Sequence, residues 1–200
     1  MERRELLKMI VAVTGGAMVG VNVAAYEIKD SVKLSQTDYS SEDVKLFNEI
    51  AELIIPRTDT PGAKDANVGQ MALVLVNDCY TKAERAVFDT GFNAINTLSH
   101  ARFGSAFPAL NHEQKSNFVI ELDEEARIYN REHNLFYVSP TPSGNDNPDL
   151  PHYFTLIKQL TLFCFFTSKV GSTEVLRFDA VPGKYDGDLN YKKGDRAWAT

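Results

Sequence analysis

The side chains that could do chemistry are few and far apart. Four histidines, His100, His112, His133 and His152, lie 12, 21 and 19 residues apart. None of these gaps places two imidazoles on one turn of a helix, as a metal pair would need. Two cysteines, Cys79 and Cys164, are too few for a four-thiolate zinc site or a disulfide framework. No GxGxxG, P-loop, GxSxG, HExxH or CxxC motif occurs. Thr58-Asp59-Thr60-Pro61-Gly62 superficially resembles a phosphate loop. It lacks the glycine density and the Lys-Ser/Thr ending that let backbone amides cradle a phosphate. Asn145-Asp146-Asn147-Pro148-Asp149 is rich in oxygen ligands but lacks the glycine and distal glutamate of a calcium loop. Asp123 and Glu124 fall on the polar side of a helical pattern, where solvation accounts for them. Asp59 and His152, with the loop before His152, are what is left to build a catalytic site from.

The elements around these residues are helical. Val44, Phe47, Ile50, Ala51 and Ile54 recur at helical spacing after Ser40 and Ser41, which are candidate caps, and Pro56 stops the run. Residues 56–63 form a loop dense in turn formers. A second helix is expected over 68–80. Thr81 with Glu84 has the capping-box spacing and opens a third helix to about Ser99, with Val87, Phe88, Ala94, Ile95 and Leu98 as its core face. Gly91 inside it suggests that another helix packs closely there. Asn111 with Gln114 repeats the capping spacing and opens a fourth helix to about His133. Phe118, Leu122, Ala126 and Tyr129 line one side of it, and Glu121, Glu124, Glu125 and Arg131 the solvated side. Residues 136–150 fit no regular structure. Asp149 is expected to cap a fifth helix, with Pro151 in its first turn and Gly171 as its stop. Within that helix Leu162-Phe163-Cys164-Phe165-Phe166 is apolar on every side, so it needs burial all round, in a central core position or against another protein.

Both ends of the chain differ from this middle. The chain opens Met1-Glu2-Arg3-Arg4-Glu5-Leu6-Leu7-Lys8, followed by an uncharged apolar run over 9–26 and the small residues Val23-Ala24-Ala25. That is the layout of a bacterial export signal. Arg3 and Arg4 followed by Leu6, Leu7 and Lys8 resemble a twin-arginine signal, which is read by a receptor and exports proteins already folded. The run has 18 residues and is diluted by Gly15, Gly16 and Gly20, short of the roughly 20 a membrane span needs. A cleaved signal over 1–25 is therefore the expectation, with a polar linker over 26–39, a helical domain over 40–177 and an extended tail over 178–200. Outside the cytoplasm the compartment is oxidising, so Cys79 and Cys164 could pair with each other or with another chain, or remain free. The tail holds Tyr185, Tyr191 and Trp198, the only tryptophan. Aromatic residues of this kind are expected to dock into pockets of the chain itself or of a partner. A net charge of −6 with no basic run argues against nucleic acid as a partner.

Four segments resemble one known family. Ala51-Glu52-Leu53-Ile54-Ile55-Pro56-Arg57-Thr58-Asp59-Thr60-Pro61-Gly62-Ala63-Lys64-Asp65-Ala66 is similar to the signature of the subunit 3 family of gluconate 2-dehydrogenase. Phe166-Thr167-Ser168-Lys169-Val170-Gly171, Val181-Pro182-Gly183-Lys184-Tyr185-Asp186-Gly187 and Gly194-Asp195-Arg196-Ala197-Trp198-Ala199 resemble its C-terminal end. Family members often have Gly-Tyr where Cys164-Phe165 stands here.

The resemblance implies an all-α small subunit of about five helices with long loops and a C-terminal strap. It implies a membrane-associated complex in which a large glucose-methanol-choline-type (GMC-type) subunit holds FAD and performs the hydride chemistry. A cytochrome c subunit with haem often takes the electrons. The small subunit itself holds no cofactor or metal, carries the export signal, and escorts and stabilises the large one into the periplasm. Membrane association would come through the complex or an uncleaved signal. Related complexes oxidise gluconate, fructose, glucose, sorbitol or the 3-hydroxyl of glycosides. The expected partner surface comprises Pro56, Arg57, Thr58, Asp59 and Pro61 of the signature loop, Phe163, Phe165 and Phe166 of the apolar helix, residues 136–150, and Tyr185 and Trp198 of the tail. Two other readings stay open on the residues alone: a stand-alone exported oxidoreductase, and a free binding module of the cell envelope.

Overall fold

Three of the helices start where a side chain can satisfy their first free amides. Ser40 accepts from the Asp43 amide and the Asp43 carboxylate accepts from the Ser40 amide at 2.7 Å, opening α1 (Ser41–Ile54). Thr81 and Glu84 form the same reciprocal pair before α3 (Lys82–Phe103), and Asn111 and Gln114 do so before α4 (His112–Glu132). Each such cap stabilises its helix by about 1 kcal/mol. The intervening helix α2 (Val68–Cys79) is capped from outside. The Asn48 side chain of α1 accepts from the Gly69 amide at 2.8 Å, and a Cβ on Gly69 would lie 2.7 Å from the Val44 carbonyl oxygen. Helix α5 spans Tyr153–Thr167. The computed structural model describes residues 34–135, 150–181, 183, 187–190 and 192–199. The signal residues Arg3, Arg4, Leu6, Leu7 and Lys8, the oxygen-rich stretch 145–149, Tyr185 and Tyr191 lie outside the described residues, as does most of the expected partner loop over 136–150.

The fold is all-α, with five α-helices, short 3-10 turns at Leu34–Gln36 and Phe107–Ala109, and a π-helical turn at Gly171–Val175. Among the described residues there is no strand beyond a single bridge between Arg177 and Trp198. Helix α5 packs against each of the other four α-helices. Seven of the twelve phenylalanines are fully buried, so the core is built largely from rings. Phe47, Phe88 and Phe92 stack between α1 and α3, with Phe88 and Phe92 centroids 5.3 Å apart. Phe107 and Phe118 meet at 5.5 Å.

Several boundaries differ from the sequence-based expectation. The stretch read as a linker ends inside the helical body. Leu34 and Tyr39 pack on the core, and the Tyr39 hydroxyl donates to Asp89 at 2.6 Å. Helix α3 runs on to Phe103, because Gly104 adopts the left-handed conformation (φ 73°) that closes a helix. The cap of α5 is His152 rather than Asp149, which lies outside the described residues. The His152 Nδ1 accepts from the Phe154 amide, and Pro151 precedes the helix. The helix ends at Thr167 rather than Gly171. Gly171 instead seats the π-helical turn on α5: a Cβ there would lie 2.0 Å from the Phe165 carbonyl oxygen.

Gly91 does mark a close approach. Its missing Cβ leaves room for the Tyr153 ring, whose Cγ would otherwise lie 1.9 Å away. The charged side of α4 does more than face water. Arg102 of α3 pairs with Glu121 and Glu125, and Lys158 of α5 donates to Asp123 at 2.5 Å. Partly exposed pairs of this kind each contribute well under about 1 kcal/mol, yet together they fix α3 and α5 against α4.

Candidate functional site

The signature loop is held from beneath. Glu52, in the last turn of α1, projects its carboxylate under the loop and accepts from the Arg57 amide and the Lys64 amide, both at 2.9 Å. One carboxylate therefore ties both limbs together. Asp65 does the same from the far side, accepting from the Gly62 amide at 2.8 Å and from the Arg57 guanidinium at 2.9 Å. Gly62 is required by this arrangement, because a Cβ would lie 2.6 Å from both the Arg57 nitrogen and the Glu52 carboxylate. Ala63 is buried, and its amide donates to the Ile55 carbonyl at 2.9 Å. Pro56, Arg57, Thr58 and Asp59 stand exposed on this frame, with Pro61 partly so. Glu52 and Asp65 do not stand out by spacing or periodicity. Their only signal in the sequence is that they belong to the same sixteen-residue segment as the loop.

Next to the loop, Glu49, Glu52, Arg57, Lys64, His112 and Lys115 border a polar cavity of about 340 Å³. Its charges are already matched: Glu49 accepts from Lys64 and from Lys115, the latter at 2.9 Å. Burial pushes the Glu49 carboxyl up, but the two lysine hydrogen bonds outweigh it and hold the group below the usual range.

A second, mostly apolar groove of about 520 Å³ runs along Ala86, Thr90, Gly91 and Ala94 of α3 and is closed by Tyr129, His152 and Tyr153. Burial lowers the His152 pKa, opposed weakly by Glu125. Burial raises the Tyr153 hydroxyl to about 12, and that hydroxyl has no hydrogen-bond partner among the described residues. Asp59 and His152 are not brought together. Asp59 stands on the loop after α1, and His152 caps α5 beside the α3 groove. Among the described residues, no three His, Cys, Asp or Glu side chains converge as a metal site would require.

Helix α5 answers the question its apolar run posed. Its inner side is core: Phe165 is 1% exposed and Cys164 is buried. Phe165 is therefore no part of an interface, because its position on the helix turns it into the bundle. The outer side is uncovered among the described residues. Leu162, Phe163 and Phe166, at helical spacings of one, three and four, are 43%, 56% and 38% exposed. The two cysteines are free thiols, Cys79 exposed and Cys164 buried. Burial pushes the Cys164 thiol up to about 12, which makes it a poor nucleophile.

The tail is not a loose strap. The Arg177 amide donates to the Ala197 carbonyl at 2.8 Å, and the Ala199 amide donates to the Arg177 carbonyl at 2.7 Å. The Arg177 Nε donates to the Arg196 carbonyl at 2.6 Å, and Arg196 donates to the Glu174 carbonyl at 2.7 Å. The Arg177 guanidinium lies over the Trp198 ring, 4.8 Å from its centroid. Trp198 thus docks on its own chain while staying 49% exposed. Sequence reasoning missed Arg177, since a lone arginine carries no local signal of what it will clip.

A family model described as gluconate 2-dehydrogenase subunit 3 matches residues 41–183, from the first residue of α1 to beyond the clip arginine. Neither the curated proteins nor the solved structures yielded a match. Among the described residues no helix is long and apolar enough to cross a membrane.

Proposed function

Because the chain belongs to the gluconate 2-dehydrogenase subunit 3 family, a small subunit of a dehydrogenase complex, we propose that it escorts and stabilises a GMC-type, FAD-dependent catalytic subunit during twin-arginine export. In this reading it is non-catalytic and holds neither cofactor nor metal. The partner's flavin performs the oxidation of a sugar, polyol or glycoside in the periplasm, and a cytochrome c subunit with haem is a third member. The complex stays at the membrane through its other subunits or through an uncleaved signal.

The observation that supports this best is the apolar side of α5, which is uncovered among the described residues. A helix apolar all round has its inner side in the core and Leu162, Phe163 and Phe166 facing out. A cluster of large apolar side chains on one exposed helix side suits a surface that another chain covers. A flavoprotein must load its cofactor before crossing the membrane, which suits a signal that handles folded cargo. Among the described residues Asp59 and His152 lie on different elements and share no hydrogen bond, which favours the subunit over a stand-alone enzyme.

The test is co-expression of the tagged chain with a GMC-type, FAD-dependent subunit of the same organism. The flavoprotein is expected to co-purify and to reach the periplasm only when the small chain is present. Export of active flavoprotein in its absence would refute the escort role.

A further inference from the structure

The large apolar side chains exposed among the described residues are unevenly distributed. Of ten, Met71, Ile120 and Ile128 stand singly on other helices, and the remaining seven fall between residues 162 and 198. Three are on the outer side of α5. The other four, Phe178, Val181, Leu189 and Trp198, lie in the tail, the first three more than half exposed. The clip brings the tail back to the same end of α5. Trp198 sits on Arg177, Arg196 is bonded to Glu174 of the π-helical turn, and that turn rests on the Phe165 carbonyl and the Phe166 backbone through Gly171.

We propose that Arg177 holds the tail so that Phe178, Val181, Leu189 and Trp198 extend the outer side of α5 into one docking face for the flavoprotein subunit. This deepens the function proposed above and rests on it. Area favours a composite face. Partly exposed as they are, the three helix residues offer on the order of 250 Å² of apolar surface, within what an ordinary monomer exposes. The tail residues add roughly 400 Å². Together they come to roughly 650 Å², more than the apolar share of about 450 Å² in one side of a standard interface of about 800 Å² per partner. A tail tied to Arg177 through residues 196–199 also loses less conformational freedom when the partner docks. Arg177 is a positioning residue here: it acts through the tail, which it holds in place. The occupant is a different chain rather than a second copy, because the family is that of a subunit in a multi-subunit complex.

The test uses the full-length chain, alone and co-expressed with the flavoprotein subunit. Trp198 is the only tryptophan, so the emission of the chain alone reports the clip directly. Arg177→Ala is expected to shift that emission to the red while helical circular dichroism is retained, and to lower recovery of the flavoprotein about tenfold, equivalent to about 1.4 kcal/mol. Phe163→Asp is expected to lower recovery similarly, and Ile120→Asp, at an exposed apolar position of α4 outside the face, to leave it unchanged. Hydrogen exchange in the complex is expected to slow in peptides covering 160–181. Full recovery with Arg177→Ala despite a shifted emission would overturn the composite face, as would protection confined to residues 56–63. An unshifted emission would overturn the clip. A dimer of the chain alone that Phe163→Asp dissolves would give the face to a second copy and overturn the assigned occupant. A wild-type chain that recovers no flavoprotein would overturn the underlying functional reading instead.

Discussion

His152 combines three roles in one side chain. It caps α5 through Nδ1, stacks against Tyr153 with centroids 4.3 Å apart, and helps close the apolar groove. Accepting the Phe154 amide requires an unprotonated Nδ1, and burial also favours the neutral ring. The folded pKa therefore lies below that of the unfolded chain, about 6.5. Stability from this residue is fully present above that value. It is lost as pH falls toward the folded pKa, because the unfolded state takes up the proton first. Thermal melting between about pH 7.5 and 5 should show a falling midpoint, and His152→Asn, which can still cap, should flatten the fall. Equal slopes in the two proteins would show that His152 does not titrate in this way. Glu52 serves the backbone in a different way: its carboxylate accepts from two amides under the signature loop, so its role is architectural and the exposed loop residues are what it positions.

At the scale of elements, α5 shows how one apolar run divides between two duties. Phe165 and Phe163 are chemically alike and two positions apart, yet one is 1% and the other 56% exposed. Phe165→Ala should cost about 3–5 kcal/mol of unfolding free energy, through lost burial and the cavity left behind. Phe163→Ala should change stability by less than about 0.5 kcal/mol. Urea denaturation of both variants measures the difference, and similar losses would mean that the outer side is covered within the chain. The capped helices were legible because capping is local. Ser40, Thr81 and Asn111 each bond an amide three residues on, and side chains that close carry their own signal. The start of α5 was not legible, because its cap is an imidazole that bonds only two residues ahead and whose amide is held by Asn130 of α4 at 3.1 Å.

For the whole molecule, the two exposed features differ in kind. The signature loop is charged and polar, whereas the α5 and tail face is apolar. If the apolar face dominates association, raising salt from about 0.05 to 0.5 M should change the dissociation constant for the proposed flavoprotein partner by less than about threefold, since screening acts on charges and leaves hydrophobic burial intact. A loss of an order of magnitude would assign the binding to Arg57 and Asp59 instead.

Sequence alone determined the all-α class, the five α-helices and most of their caps, the close approach at Gly91 and the membership in a dehydrogenase subunit family. Each of these depends on neighbours within a turn or two, or on residue identity along a continuous segment. Only the tertiary structure decided which side of α5 is core, that Glu52 and Asp65 carry the signature loop, that Asp59 and His152 stand apart, and that Arg177 returns Trp198 to the body of the chain. Those outcomes come from contacts between residues distant in the chain, and their energies depend on geometry that periodicity does not encode.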